Sequence, residues 1–253
     1  MIELFILTGA SRGLGLAMAC QLLAQGHDVL GLSRQGVPSP ANAVHGEGVG
    51  TLVNWSVDLA DPAPVAARLH AWLVESVDPS RYAGVSLINN AGVIPAIGPL
   101  PDVPADDLAR ALRVGLEAPM LLSSAFLRAT QAWTLQRKVL NISSGLGRRA
   151  MASQATYCAA KAGMDHFTRC MALDEERKPH GARVCSLAPG VIDTDMQVQL
   201  RAAHPDAFPD VQNFAQLQSS GMLSSAPDAA ARVLAWLQRP DFGAQPVADV
   251  RDA

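Results

Sequence analysis

The sequence predicts an α/β fold: a single doubly wound domain over residues 1–253, with a mostly parallel sheet of seven strands and helices on both faces. Three observations carry this. Short β-rich runs recur between longer helical patterns, and that alternation calls for right-handed βαβ crossovers onto a sheet covered on both sides. The chain's 253 residues, 49% of them hydrophobic, fill one large core and are few for two. A glycine-rich stretch, "TGASRGLG", lies directly between the first apolar run and the first helical one, where a parallel sheet turns its chain around a ligand.

The strands are expected at 3–8 (ELFILT), 28–33 (DVLGLS), 51–58 (TLVNWSVD), 84–89 (GVSLIN), 138–143 (KVLNIS), 182–188 (ARVCSLA) and, weakly, 245–250 (QPVADV). The first helix runs from about Leu14 to Gly26, a glycine placed to take the left-handed conformation at a helix end. Residues 36–50 carry too much Gly and Pro for a regular helix and read as loop. A second helix covers about Pro62 to Ser76, and a long third one runs from near Asp106 to about Gln136. The fourth starts near Ser153 as N-cap and is stopped by Pro179 and Gly181. From 195 to about 227, Met196, Phe208, Phe214 and Met222 mix with "HPDAFPD", which reads as a substrate lid or short helices. Trp72, Trp133 and Trp236 are expected on apolar helix faces.

Charge excludes some partners. With 20 basic and 23 acidic residues the formal charge is −3, so no polybasic field exists to hold nucleic acid or an anionic membrane. A small-molecule partner is expected instead. Cys20, Cys158, Cys170 and Cys185 show no C-x-x-C spacing, which fits a reduced, cytoplasmic setting. The apolar start "LFIL" is too short for a membrane span or a secretory leader. His166 and Cys170 stand four apart on one helix without a third ligand, so packing is expected there and no metal. Cys158 lies about 100° round the helix from its tyrosine neighbour.

In "TGASRGLG", Gly9, Gly13 and Gly15 permit a tight turn and let a diphosphate approach the backbone. The second strand ends in Ser33 and Arg34, with no carboxylate to bind a ribose 2′-hydroxyl. Arg34, with Arg12 from the glycine turn, suits a 2′-phosphate, so NADP(H) is the expected cofactor.

Tyr157 and Lys161 stand four apart, on one helix face and about 5 to 6 Å apart at Cβ. A phenol titrates near pH 10, and a close, poorly solvated ammonium stabilises its phenolate. Tyr157 is thereby expected to act as general acid or base. Upstream, "NISSG" closes the fifth strand and puts Ser143 or Ser144 at its C-terminal edge, where a hydroxyl polarises a bound carbonyl.

Together, "TGASRGLG", "NNAG" (89–92), "NISS" followed by "YCAAK", and "APGVIDTDM" (188–196) resemble the short-chain dehydrogenase/reductase family in order and spacing. The resemblance implies a Rossmann-type fold. It makes Tyr157 the acid/base, Lys161 the residue that lowers the phenol's pKa and holds the nicotinamide ribose, and Ser144, thirteen residues before the tyrosine, the carbonyl-orienting serine. Gly9, Ser11, Arg12, Gly13, Leu14 and Gly15 match the pyrophosphate turn, with Ser33 and Arg34 beyond the second strand. Asp58 and Leu59 match the adenine contact, and Asn90, Ala91 and Gly92 the central-strand cofactor contact. Pro189, Gly190, Val191 and Thr194 match the segment that closes on the nicotinamide.

Within the family, "QGHDVLGLSR", "EAPMLLSSAFL" and "FPDVQNFAQLQSSGML" look like the branch of sepiapterin and benzil reductases, which reduce dicarbonyls or pterin side-chain ketones with NADPH. That likeness makes Asp249 in the tail and Met196 in the lid substrate contacts beside Ser144. The family's long apolar helices also imply a homodimer or homotetramer. One position departs: "RVGLEAP" has Gly115 where the family carries an asparagine whose backbone binds a relay water.

The expected activity is NADPH-dependent reduction of a ketone or α-dicarbonyl. Two rivals stand beside it: an NADP-dependent secondary-alcohol dehydrogenase using the same residues in reverse, and a cofactor-binding regulatory protein without turnover, suggested by Gly115.

Overall fold

The computed structural model describes residues 1–37 and 50–252, so the loop expected at 36–50 lies almost wholly outside the described residues. Seven strands, β1 (Leu4–Thr8), β2 (Asp28–Ser33), β3 (Leu52–Ser56), β4 (Gly84–Asn89), β5 (Gln136–Ile142), β6 (Arg183–Ala188) and β7 (Val247–Asp249), form one sheet in the order β3-β2-β1-β4-β5-β6-β7. Every pairing is parallel. The order reverses beside β1, which is flanked by β2 and β4 and so opens a crevice at its C-terminal end.

The helices are α1 (Gly13–Ala24), α2 (Pro62–Glu75), α3 (Ala105–Leu112), α4 (Ala118–Ala129), α5 (Ala155–Glu176), α6 (Asp195–Arg201), α7 (Val211–Ser219) and α8 (Ala226–Leu237). Alternate strand residues feed opposite faces of the sheet. Phe5 and Leu7 pack with Leu14, Met18 and Leu22 of α1 and Val233, Leu234 and Leu237 of α8. Leu4 and Ile6 point the other way, into Leu69 and Leu73 of α2, Leu122 and Phe126 of α4 and Met171 of α5. Both faces are thus covered, as a parallel sheet requires.

Five expectations are corrected. The long third helix is α3, a π-helical turn over Arg113–Glu117 and α4, and it stops at Ala129 instead of reaching Gln136. Thr130 Oγ1 donates to the Phe126 carbonyl at 2.8 Å and closes the helix, and Gln136 already belongs to β5. Trp133 therefore lies in the connection, still packed on the α2 and α4 side, while Trp72 and Trp236 pack from their helices. The fourth helix begins at Ala155. Ser153 sits before it with φ +61° and does not cap it.

The region expected as a lid is α6 and α7 with a small core of Leu200, Phe208, Val211 and Phe214, against which Ile94, Ile97 and Met151 pack. Its expected end, Pro227, is already inside α8, whose N-cap Ser225 accepts from the Asp228 N–H at 3.1 Å. Finally, His166 and Cys170 lie exposed on α5 and take no part in core packing. Among the described residues no helix is long and apolar enough to cross a membrane.

Candidate active site

The site lies along the C-terminal ends of the strands. β1 ends at Thr8, and the chain turns into α1 through Gly9 (φ +68°) and Gly13 (φ +53°), conformations that a side chain would strain. Thr8 Oγ1 accepts from the Asn90 and Ala91 N–H groups, each at 2.9 Å. Asn90 Nδ2 donates to the Thr8 carbonyl at 3.0 Å, so this amide fastens the glycine turn to the end of β4. A Cβ on Gly15 would lie 2.1 Å from the Gly9 carbonyl oxygen, which shows how closely helix and turn approach.

No side chain caps α1, so the N–H groups of its first turn face outward at the positive end of the helix dipole. Thr194 faces Gly13 across the turn. Left-handed glycines, uncapped amides and a facing hydroxyl residue fit a dinucleotide diphosphate. Within the turn, Leu14 sends its side chain into the core and offers only backbone, while Ser11 is partly buried.

Other expected cofactor residues follow the same edge. Ser33 is buried and donates to the Gln35 carbonyl, whereas Arg34 beside it is exposed. Asp58 is exposed after β3 and accepts from the Ala60 N–H at 2.9 Å, and Leu59 is core. Arg12 does not join Arg34: it pairs with Asp195 at the start of α6 at 3.0 Å, both side chains exposed. Gly190 has φ +85°, and the Val191 carbonyl accepts from the Ser224 N–H at 2.9 Å, tying the segment after β6 to the chain before α8.

Ser144, Tyr157 and Lys161 converge where β5 meets α5. Ser144 follows β5, and its Oγ accepts from the Leu146 N–H at 3.2 Å, leaving its proton to donate outward. Lys161 is only 4% exposed, with Nζ 5.8 Å from the Tyr157 ring centroid and donating to the Ile142 carbonyl at 2.7 Å. Gly92 faces that ammonium, since a Cβ there would lie 4.0 Å from Nζ. The Tyr157 hydroxyl meets the Met196 sulfur at 4.0 Å, which brings α6 over the phenol.

The electrostatics differ from the expectation. Burial pushes the Tyr157 phenol up to about 12, with the Ser144 hydroxyl opposing the rise and Cys158 adding to it. Burial also lowers the Lys161 amine to about 8, while Asp165 works to keep it charged. Burial outweighs any lowering of the phenol by the Lys161 ammonium, which is itself buried and donates to the Ile142 carbonyl.

Two further expectations are placed. Asp249 is nearly buried at the end of β7, and both carboxylate oxygens are taken by Arg251, through Nε at 2.8 Å and Nη2 at 2.6 Å, which holds the acid below its usual range. Gly115 sits in the π-helical turn, where a Cβ would lie 3.2 Å from the Ala160 Cβ. Its missing side chain therefore lets this turn pack closely on the catalytic helix.

Residues the motifs did not flag complete the site. Asp165, one turn beyond Lys161, accepts from the Ser143 and Ser186 hydroxyls, each at 2.6 Å, and from Arg148 Nε at 3.2 Å. An acid four positions from Lys161, on a helix face otherwise meeting the sheet, was the available signal. Beside the site an open cleft of about 330 Å³ is lined by Ile94, Pro95, Ala96, Ile97, Gln199, Ala202 and Ala203. Among the described residues no group of three or more His, Cys, Asp or Glu is placed to hold a metal ion.

Residues 3–205 match the sequence profile of the short chain dehydrogenases. A benzil reductase ((S)-benzoin forming) of Bacillus subtilis is 34% identical over 238 residues, 94% of each chain. A solved short-chain dehydrogenase/reductase from Burkholderia vietnamiensis is 36% identical with a TM-score of 0.64, covering 99% of both chains. A putative 2-deoxy-D-gluconate 3-dehydrogenase from Agrobacterium tumefaciens, solved with bound NADP, is 25% identical with a TM-score of 0.77, covering 98% of this chain and 94% of that one. With the glycine turn, the Ser144, Tyr157 and Lys161 geometry and these likenesses together, the chain belongs to the short-chain dehydrogenase family.

Proposed function

We propose that this oxidoreductase reduces a ketone or α-dicarbonyl small molecule with NADPH. The carrying observation is the convergence of the Tyr157 phenol, the Ser144 hydroxyl and the buried Lys161 ammonium at the end of β5. The glycine turn with Thr194 and Asn90 would hold a nicotinamide cofactor, which when bound would supply the hydride for the carbonyl carbon. Ser144, whose oxygen already accepts from Leu146, donates a hydrogen bond to the carbonyl oxygen and orients it, keeping its own proton. Tyr157 then transfers its proton to that oxygen as negative charge develops, so the carbonyl becomes a secondary alcohol. Lys161 keeps a positive charge in the same buried space and, in this reading, holds the nicotinamide ribose.

The same residues serve reduction and oxidation, and the reductive direction rests on the benzil reductase relative. The cofactor preference rests on Arg34 and the absence of a carboxylate after β2. The substrate class rests on the apolar wall of Ile94, Ile97, Met151 and the α6–α7 core, which serves as a lid, and on the benzil reductase relative, named for an α-diketone. A homodimer or homotetramer in the cytoplasm completes the reading, with exposed Met120 of α4 and Leu173 of α5 on the helices that would meet.

The test is loss of NADPH absorbance with a panel of diketones, ketones and aldehydes, repeated with NADH. Turnover of diketones with NADPH supports the reading. Tight NADPH binding without any turnover would leave only the cofactor-binding rival.

A further inference from the structure

Asp165 is a carboxylate 2% exposed, with three donors on it. Ser143 is the residue before the carbonyl-orienting serine. Ser186 lies in β6, so Asp165 bonds one hydroxyl just past the end of β5 and one within the neighbouring strand. Arg148 comes from the turn that follows Ser144, and its Nη2 also donates to the Ala248 carbonyl of β7 at 2.8 Å.

The turn rests directly on the catalytic helix. A Cβ on Gly147 would lie 2.9 Å from Asp165 Oδ2 and 2.9 Å from the Lys161 carbonyl, so only glycine lets the chain descend there. Ser144 is thereby fixed on both sides, by Ser143 bonded to Asp165 before it and by Arg148 bonded to Asp165 after it. Lys161 and Asp165 are successive turns of one helix, so the same carboxylate that holds the serine loop also faces the buried ammonium.

We propose that Asp165 and Arg148 are positioning residues, a buried clamp that sets Ser144 against Tyr157 and ties the serine loop to β7. The proposal rests on the reading of Ser144, Tyr157 and Lys161 as the reacting groups. Its charge environment is closed. The groups facing Asp165 are Lys161 on its own helix, Arg148 from the turn after β5 and Cys185 of β6, and Arg148 also faces Asp249 of β7. Burial pushes the Cys185 thiol up to about 12, so it stays neutral and does not compete.

The two members of the clamp separate by experiment. Asp165→Asn keeps the size and loses the charge, while Arg148→Gln removes the tie from a partly exposed side chain. Both variants are expected to lower kcat about tenfold or more, since sub-ångström displacement of a reacting group is costly, with the KM for NADPH changed less than twofold. Only Asp165→Asn is expected to lower the pH at which Lys161 titrates, read by ¹³C NMR of labelled lysine in the cofactor-free protein; Arg148→Gln leaves it in place.

A merely structural role would lower the melting temperature of both yet leave kcat, measured well below it, within twofold of wild type, and that result overturns the proposal. Should Asp165→Asn not fold, Arg148→Gln decides alone on the same kcat criterion. A wild type that reduces no carbonyl sinks the functional reading in the NADPH assay; the NMR titration needs no turnover, and an Asp165→Asn variant in which Lys161 titrates as in wild type overturns the clamp on its own.

Discussion

The Lys161 ammonium donates to the Ile142 carbonyl at 2.7 Å, across the junction of α5 and β5. This bond fixes the lysine at the end of β5, while burial raises the Tyr157 phenol beside it.

Tyr157→Phe should lower kcat by 10²–10⁴-fold, the range for losing a positioned general acid. The ring's packing stays, so the NADPH dissociation constant from fluorescence titration should move less than threefold. An unchanged kcat would remove Tyr157 from the role of acid.

The pH profile should be one-sided. Tyr157 stays protonated up to about 12, so it produces no limb in the working range. Lys161, lowered to about 8, loses its charge as pH rises, and activity that needs the ammonium falls above that point by about tenfold per unit. Below pH 8 the ammonium is present and kcat/KM is flat. Steady-state rates from pH 6 to 10 read the limb, and a limb on the acid side would contradict the assignment.

Arg34→Ala should cost about tenfold or more in kcat/KM for NADPH and leave NADH nearly unaffected, because a charge-assisted phosphate bond is worth more than one ordinary hydrogen bond. Equal losses for both cofactors would mean that Arg34 reads something other than the 2′-phosphate.

Gly115→Asn should destabilise the protein by about 1–3 kcal/mol, the usual cost of overpacking, because the new Cβ would meet Ala160 at 3.2 Å. Because Ala160→Gly itself costs about 1 kcal/mol in a helix, the check is a double-mutant cycle in urea unfolding, where the pair should cost less than the two single changes together. Strict additivity would mean that the contact is not the cause.

How much of this was legible in the chain depends on what enforces each element. β2 and β4 have the bounds read from sequence, since both are buried on two sides and end in abrupt turns. The end of the long third helix was not legible, because Thr130 stops it through a side-chain bond and nothing in the run to Gln136 breaks the apolar pattern. Ser153 looked like a cap by type, yet its left-handed backbone is set by the loop before α5. Tyr157 and Lys161 could be read from their spacing on one helix face, while the choice of Ser144 over Ser143 came from the family likeness, and the structure brings all three together. Asp165 and Arg148 were not legible, since their meeting depends on the turn at Gly147 bringing 148 down onto the helix.

Because all seven strands run the same way, every residue assigned to binding or chemistry sits on one rim of the sheet. The opposite rim, with Gly26 before β2, the 79–81 turn before β4 and Gly243 before β7, carries none of them. A tether, fluorophore or inserted peptide at the 79–81 turn would thus stand a full strand length from the cofactor groove. The molecule has a working end and a handling end, and immobilisation through the second leaves the first open to substrate.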